Sequence, residues 1–144
     1  MSETEKAYWA GFIDAEGAIG ITKQKNEKHV LGFAYTPYAS VTNTNLKILE
    51  LLKQRFGGRI HKHNSKTFKN GKDLYIWYIN AKSMKEFIYT IEPYLKMKKE
   101  QAQIICNYIH KRSQYYKSYV PKIFWEIAEQ AYQRLKVLNK RGIA

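Results

Sequence analysis

The run Trp9-Ala10-Gly11-Phe12-Ile13-Asp14-Ala15-Glu16-Gly17 sets two carboxylates, two positions apart, at the C-terminal end of what otherwise reads as an apolar helix. Acids favour the first turn of a helix, because the macrodipole leaves negative partial charge at the last one. Asp14 and Glu16 therefore need a compensating partner, and a divalent cation held by hard oxygen ligands would serve. Gly17 stands where a left-handed residue would cap the helix. Ala10, Gly11 and Ala15 leave little side-chain bulk, so another backbone can approach this helix closely, most simply the chain's own sheet.

The chain must supply elements that hold these groups. With 144 residues and 44% hydrophobic content, it is long enough for one domain with a real core and too short for two ordinary ones. The assignment is a single domain over 1–144, with a core at about 4–112 and a helical extension at about 113–144. Lys and Arg number 25 against 12 Asp and Glu, a net charge of +13 that points to a polyanion, nucleic acid before an anionic membrane. No apolar stretch reaches the ~18 residues of a membrane span, and the acidic start Met1-Ser2-Glu3-Thr4-Glu5 is unlike a basic signal region. An intracellular, unsecreted protein with no membrane partner is expected, in cytoplasm, nucleoid or organelle. Cys106 is the only cysteine, read as a buried small hydrophobe, so neither an intrachain disulfide nor a cysteine-based zinc site is possible.

Periodicity predicts the order αββαββα plus a C-terminal helix, an α+β arrangement. After a first helix over about 4–16, Ile19 and Ile21 alternate with Gly20, Thr22, Gln24 and Asn26. A turn at 26–29 leads to Phe33, Tyr35, Ala39 and Val41 alternating with Ala34, Thr36, Tyr38 and Ser40. The two segments make a hairpin with one wet face, and Pro37 implies a bulge or an edge. Leu46, Leu49, Leu52 and Phe56 recur at helical spacing after cap candidates at 43–45 and before Gly57-Gly58. A second hairpin spans 59–80, its strands joined by 64–73 with Lys66, Lys69 and Lys72. Ser83-Met84-Lys85-Glu86 fits a capping box, a further helix begins near Lys98, and Pro121 opens a last one.

The nonapeptide resembles the LAGLIDADG motif of homing endonucleases, with Trp9 and Phe12 in place of the leucines and Glu16 in place of the second aspartate. The resemblance runs on to Glu92-Pro93-Tyr94-Leu95-Lys96-Met97-Lys98-Lys99-Glu100-Gln101-Ala102, covering roughly 5–112, and the motif occurs once. It implies the αββαββα fold of that family, with an antiparallel sheet forming a DNA-binding saddle. It also implies a homodimer whose motif helices pack about a two-fold axis through Ala10, Gly11 and Asp14, bringing the two Glu16 carboxylates close together.

By that resemblance the chain is a site-specific endonuclease, encoded in an intron or intein. It would make double-strand breaks in a long pseudo-palindromic DNA site by Mg²⁺-dependent phosphodiester hydrolysis. Mn²⁺ could substitute, and Ca²⁺ would bind without supporting cleavage. Glu16 is the first-choice metal ligand, joined by the main-chain carbonyl of Ala15. Asp14 is either a ligand or, preferably, a hydrogen-bonding group at the interface, and its simplest alternative is a helix-end cap. Lys98 falls where the family places a basic residue near the scissile phosphate, although among Lys96 and Lys99 it also suits a solvated face. Asn43 corresponds to a polar residue that positions solvent, in competition with a capping role, and Lys47 belongs to the same periphery.

Base reading would fall to the polar sheet face, since a two-stranded ribbon fits the major groove: Thr22, Gln24, Asn26, Thr36, Tyr38, Ser40, His61 and His63. A metal site on the two histidines would need ligands the sequence does not identify, so base or phosphate contact suits them better. Tyr75 and Trp77 share a face that is DNA-facing or core. Two other functions fit the fold, an RNA-splicing maturase acting on intron RNA and a non-cleaving DNA-binding regulator. Retention of both acids argues against the regulator.

Overall fold

The computed structural model describes residues 1–63, 73–80, 82–116 and 119–140. Helix α1 (Glu3–Glu16) starts at Ser2, whose hydroxyl accepts the Glu5 N–H at 3.1 Å, as serine does at an N-cap. It leads directly into strand β1 (Gly17–Lys25), and β2 (Phe33–Asn43) returns antiparallel. Helix α2 (Leu46–Phe56) buries Leu49 and Leu52 and is capped by Asn45, which accepts the Ile48 N–H. Strands β3 (Arg59–His63) and β4 (Leu74–Asn80) complete a four-stranded antiparallel sheet of order β1-β2-β4-β3. Helices α3 (Lys82–Ile91), α4 (Lys99–Ser113) and α5 (Lys122–Leu138) follow, with a 3-10 turn at Glu92–Tyr94 between α3 and α4.

Alternation decides which side of the sheet is covered. Ile19, Ile21, Tyr35, Ala39, Val41, Trp77 and Ile79 are buried beneath the helices, and the intervening residues form the opposite, open face. Trp77 is core, its indole N–H donating to the Gly57 carbonyl at 2.8 Å. Gly58, at φ +90°, is required there, because a Cβ would lie 2.6 Å from the Tyr78 carbonyl. The β1–β2 register runs unbroken through Pro37, without a bulge, and β4 pairs only from Tyr38 onward. Pro37 thus stands where β2 is an edge on that side.

Two local expectations need correction. Gly17 is extended (φ −95°), not left-handed; a Cβ there would press at 3.0 Å on the Ile13 carbonyl and side chain, so close approach is its reason. Ser83 does not cap α3, because the helix has already begun at Lys82. Lys66, Lys69 and Lys72 lie outside the described residues.

The last helix lies along β1. The Asn139 amide donates to the Ile19 carbonyl at 2.8 Å, Glu129 pairs with Lys23 at 3.0 Å and accepts the Tyr35 hydroxyl, and Trp125 meets His29 edge-on, ring centroids 4.1 Å apart. Among the described residues no helix is long and apolar enough to cross a membrane.

Candidate active site

The last turn of α1 divides its two carboxylates. Asp14 is buried, and its oxygens accept the N–H groups of Lys96 (2.8 Å) and Lys98 (2.9 Å), pinning the loop before α4 to the helix. The Lys98 ammonium closes the clamp by donating to the Asp14 carbonyl at 2.6 Å. A cation at a helix C-terminus is electrostatically favoured. The Asp14 carboxylate therefore faces its own chain with a backbone partner on each oxygen, an arrangement that fits a hydrogen-bonding group rather than a direct metal ligand.

Glu16 faces the other way. It is exposed and lines an open cavity of ≈ 410 Å³ together with Ala15, Gly17, Ala18, Ser40 and Thr42. Of the last carbonyls of α1, that of Ile13 takes the Gly17 N–H and that of Asp14 takes Lys98. The Ala15 carbonyl has no donor among the described residues. One carboxylate and one carbonyl, both hard oxygens, fit a Mg²⁺ that keeps several waters and completes its shell from a substrate phosphate. They do not suit a soft or fully caged metal, and among the described residues no group of three His, Cys, Asp or Glu could hold an ion.

Asn43, Lys47 and Lys98 do not line this cavity. The Asn43 side chain accepts the Asn45 N–H at 2.8 Å, folding the strand end toward α2, and Lys47 is exposed in the first turn of α2. Thr42, the neighbour of Asn43, is the residue the strand presents beside Glu16. Its parity with Tyr38 and Ser40 was the available signal.

On the open face the register brings Thr22, Gln24, Thr36, Tyr38 and Ser40 together with His61 and His63. The Thr22 hydroxyl donates within the sheet to the Thr36 carbonyl at 3.3 Å. Tyr38 lies across Gly20 and stacks on Tyr78, ring centroids 5.6 Å apart, and burial and then Tyr78 push its hydroxyl pKa up. Asn26 stands just past the strand, because β1 ends at Lys25, and its side chain accepts the Lys28 N–H in the turn. Arg59 and Tyr78, passed over in the sequence, share this face; period two from His61 reaches Arg59, and alternation puts Tyr78 opposite the buried Trp77.

Along α1, Ala10 is buried in the chain's own core, which corrects its assignment to an interface. Gly11 and Ala15 are exposed, and a Cβ on Gly11 would meet nothing within 4 Å.

The sequence pattern of LAGLIDADG endonucleases matches residues 9–110, and comparison with curated proteins finds no match. Among solved structures, the homing endonuclease I-CvuI, in complex with the I-CreI target and Mg with the DNA not cleaved, superposes with a TM-score of 0.79 at 21% identity. That match covers 99% of this chain and 87% of I-CvuI. The archaeal intron-encoded homing endonuclease I-Vdi141I, complexed with DNA, gives 0.75 at 19% identity, over 98% of this chain and 87% of its own. I-SmaMI, bound to cleaved DNA, gives 0.71 at 23% identity, over 96% of this chain but only 45% of its own. These likenesses establish the α+β fold.

Proposed function

The chain belongs to the LAGLIDADG endonuclease family, and we propose that it is a homing endonuclease cutting both strands of a long pseudo-palindromic DNA site as a Mg²⁺-dependent homodimer. The observation that carries this reading is the position of Ser40, which lines the Glu16 cavity and also belongs to the open sheet face. A duplex seated on that face would pass directly over Glu16. Relatives solved with DNA and with Mg or Ca support the substrate and the ion.

One chain offers one Glu16. The exposed, low-bulk positions Gly11 and Ala15 leave room for the α1 of a second copy, and a two-fold pair of sites matches the symmetry of antiparallel strands. Glu16 and the Ala15 carbonyl would hold Mg²⁺, which when bound supplies Lewis-acid activation of water and neutralises phosphoryl charge. Lys98, anchored on α1 by the Asp14 carbonyl, would stabilise charge developing on the phosphoryl oxygens. Asn43 and Lys47 would order solvent and phosphate from the periphery, and the open-face side chains would read bases in the major groove.

The test is digestion of a randomised duplex library with Mg²⁺, beside a Ca²⁺ control and the Glu16→Gln variant, with sedimentation of the protein on DNA. Discrete cutting by the wild type alone, from a dimer, is the expected result. Tight binding of DNA or RNA without cutting would favour the regulator or splicing readings, and a monomer on DNA would remove the two-site mechanism.

A further inference from the structure

Among the described residues the open face carries little of the chain's charge. At its paired positions the only permanent cation among the described residues is Arg59, against a net charge of +13. Three cations instead surround a groove of ≈ 660 Å³ on the helix-covered side of the sheet, beside the β2 edge left free at Pro37. They are Lys82 and Lys85 at the start of α3 and Arg112 near the end of α4. No acid lines the groove, and none of the three forms a salt bridge among the described residues.

The walls between these cations are aromatic. Tyr35 and Trp125 lie nearly parallel, 20° between planes and 6.3 Å between centroids, with Tyr115 also lining the groove. The arrangement is pre-set: the Tyr108 hydroxyl donates to the Tyr35 carbonyl at 2.9 Å, and the Arg112 guanidinium sits 6.0 Å from the Trp125 ring centroid. Flat π-faces ringed by cations that have no salt-bridge partner among the described residues, Arg112 donating only to the Tyr115 carbonyl at 3.3 Å, suit a ligand that is itself flat and anionic, and stacking on such faces is tolerant of base identity. A duplex cannot use the groove, because its bases are stacked inside the helix.

We propose that this groove binds an unpaired nucleotide of a single-stranded nucleic-acid segment, the base stacking against Trp125 and Tyr115 and the flanking phosphates held by Lys82, Lys85 and Arg112. The site is separate from the open face and independent of cleavage. It also gives a role to the basic, aromatic stretch from Lys111 to Tyr116, which the cutting reaction leaves unused.

The experiment uses the full chain with matched RNA and DNA single strands of about 12 nucleotides, carrying 4-thiouridine or 4-thiothymidine. Fluorescence anisotropy reads binding to these strands and to a duplex, and photocrosslinking with peptide mapping reads the contact. The Lys82→Ala/Lys85→Ala/Arg112→Ala variant should lose about tenfold or more in single-strand affinity, with duplex binding held within about twofold. Adducts should map to Tyr115 or Trp125, and the tighter of the two arms names the sugar. Equal losses for single strand and duplex, adducts confined to Tyr38 or Tyr78, or equal competition by an oligoglutamate would each overturn the proposal. Failure of duplex cutting with the groove intact would bear on the endonuclease reading alone.

Discussion

The inner and outer sides of the last turn of α1 carry the same chemical group in opposite surroundings. On the inner side, Asp14 is buried and saturated by two backbone N–H groups from the 96–98 loop. On the outer side, Glu16 is exposed at the mouth of a cavity shared with the open sheet face. Two residues of spacing, about 200° around a helix, separate a group whose partners are internal from one whose partner must come from outside. The comparison teaches that paired acids in a short motif need not share a task. The first ties the 96–98 loop to α1, and the second faces outward from the same turn.

The sharpest way to break that division is to exchange the consequences of removing each charge. Glu16→Gln should reduce cleavage by about 10³-fold or more, roughly 4 kcal/mol of barrier, while the melting temperature stays within about 2 °C. Asp14→Ala should instead cost about 2–4 kcal/mol of stability in urea unfolding, because it strands buried N–H donors. If Glu16→Gln proved as destabilising as Asp14→Ala, the distinction between the two sides would fail.

Lys98 bridges the two sides, with its N–H on the inner carboxylate and its ammonium at the helix end. Its truncation sharpens the comparison: Lys98→Ala should slow single-turnover cleavage by about 10–100-fold with a smaller change in DNA affinity. Equal losses in rate and affinity would reassign it to simple phosphate anchorage.

A third carboxylate gives the smallest effect and a control in a distant region. Burial alone would raise Glu129, but hydrogen bonds from Tyr35, Gln133 and Lys23, with the Lys23 charge, outweigh it and hold the carboxyl at about 2 rather than 4.5. A depressed folded-state pKa means that the contribution is complete above about pH 4.5 and is lost as pH falls through about 2. Glu129→Gln should therefore flatten the acid limb of a stability-versus-pH curve. An unchanged limb would show that the Glu129 cluster does not fasten α5 to the hairpin.

Much of the scaffold was legible because period two and period 3.6 are strong signals. Ile19, Ile21, Ala39 and Val41 alternate cleanly, and the open face follows from the same parity. Pro37 announced a bulge or an edge, and only the edge is found. The partners of Asp14 were illegible for a physical reason: they are backbone N–H groups 82 and 84 positions away, and a backbone donor has no residue-type signature. Likewise Asn43 and Asn45 both look like caps, and only the start of α2 at Leu46 decides that Asn45 caps while Asn43 bends the strand end. Gly17 was marked as special by its type, but type does not distinguish a left-handed cap from a close approach.

The contacts of α5 also bear on how the two borders of the sheet avoid pairing with strangers. The β3 border is short and studded with Arg59, His61, Lys62 and His63, a charged margin that discourages strand addition. The β1 border is longer and has Gly20 and Ile21 at its centre, so it would offer an inviting template for aggregation if it were bare. The last helix lies over it, and Asn139 occupies the outward carbonyl of Ile19. Helix α5, beyond the matched 9–110 stretch, thus covers a border that would otherwise be open to strand addition, and its removal should lower solubility.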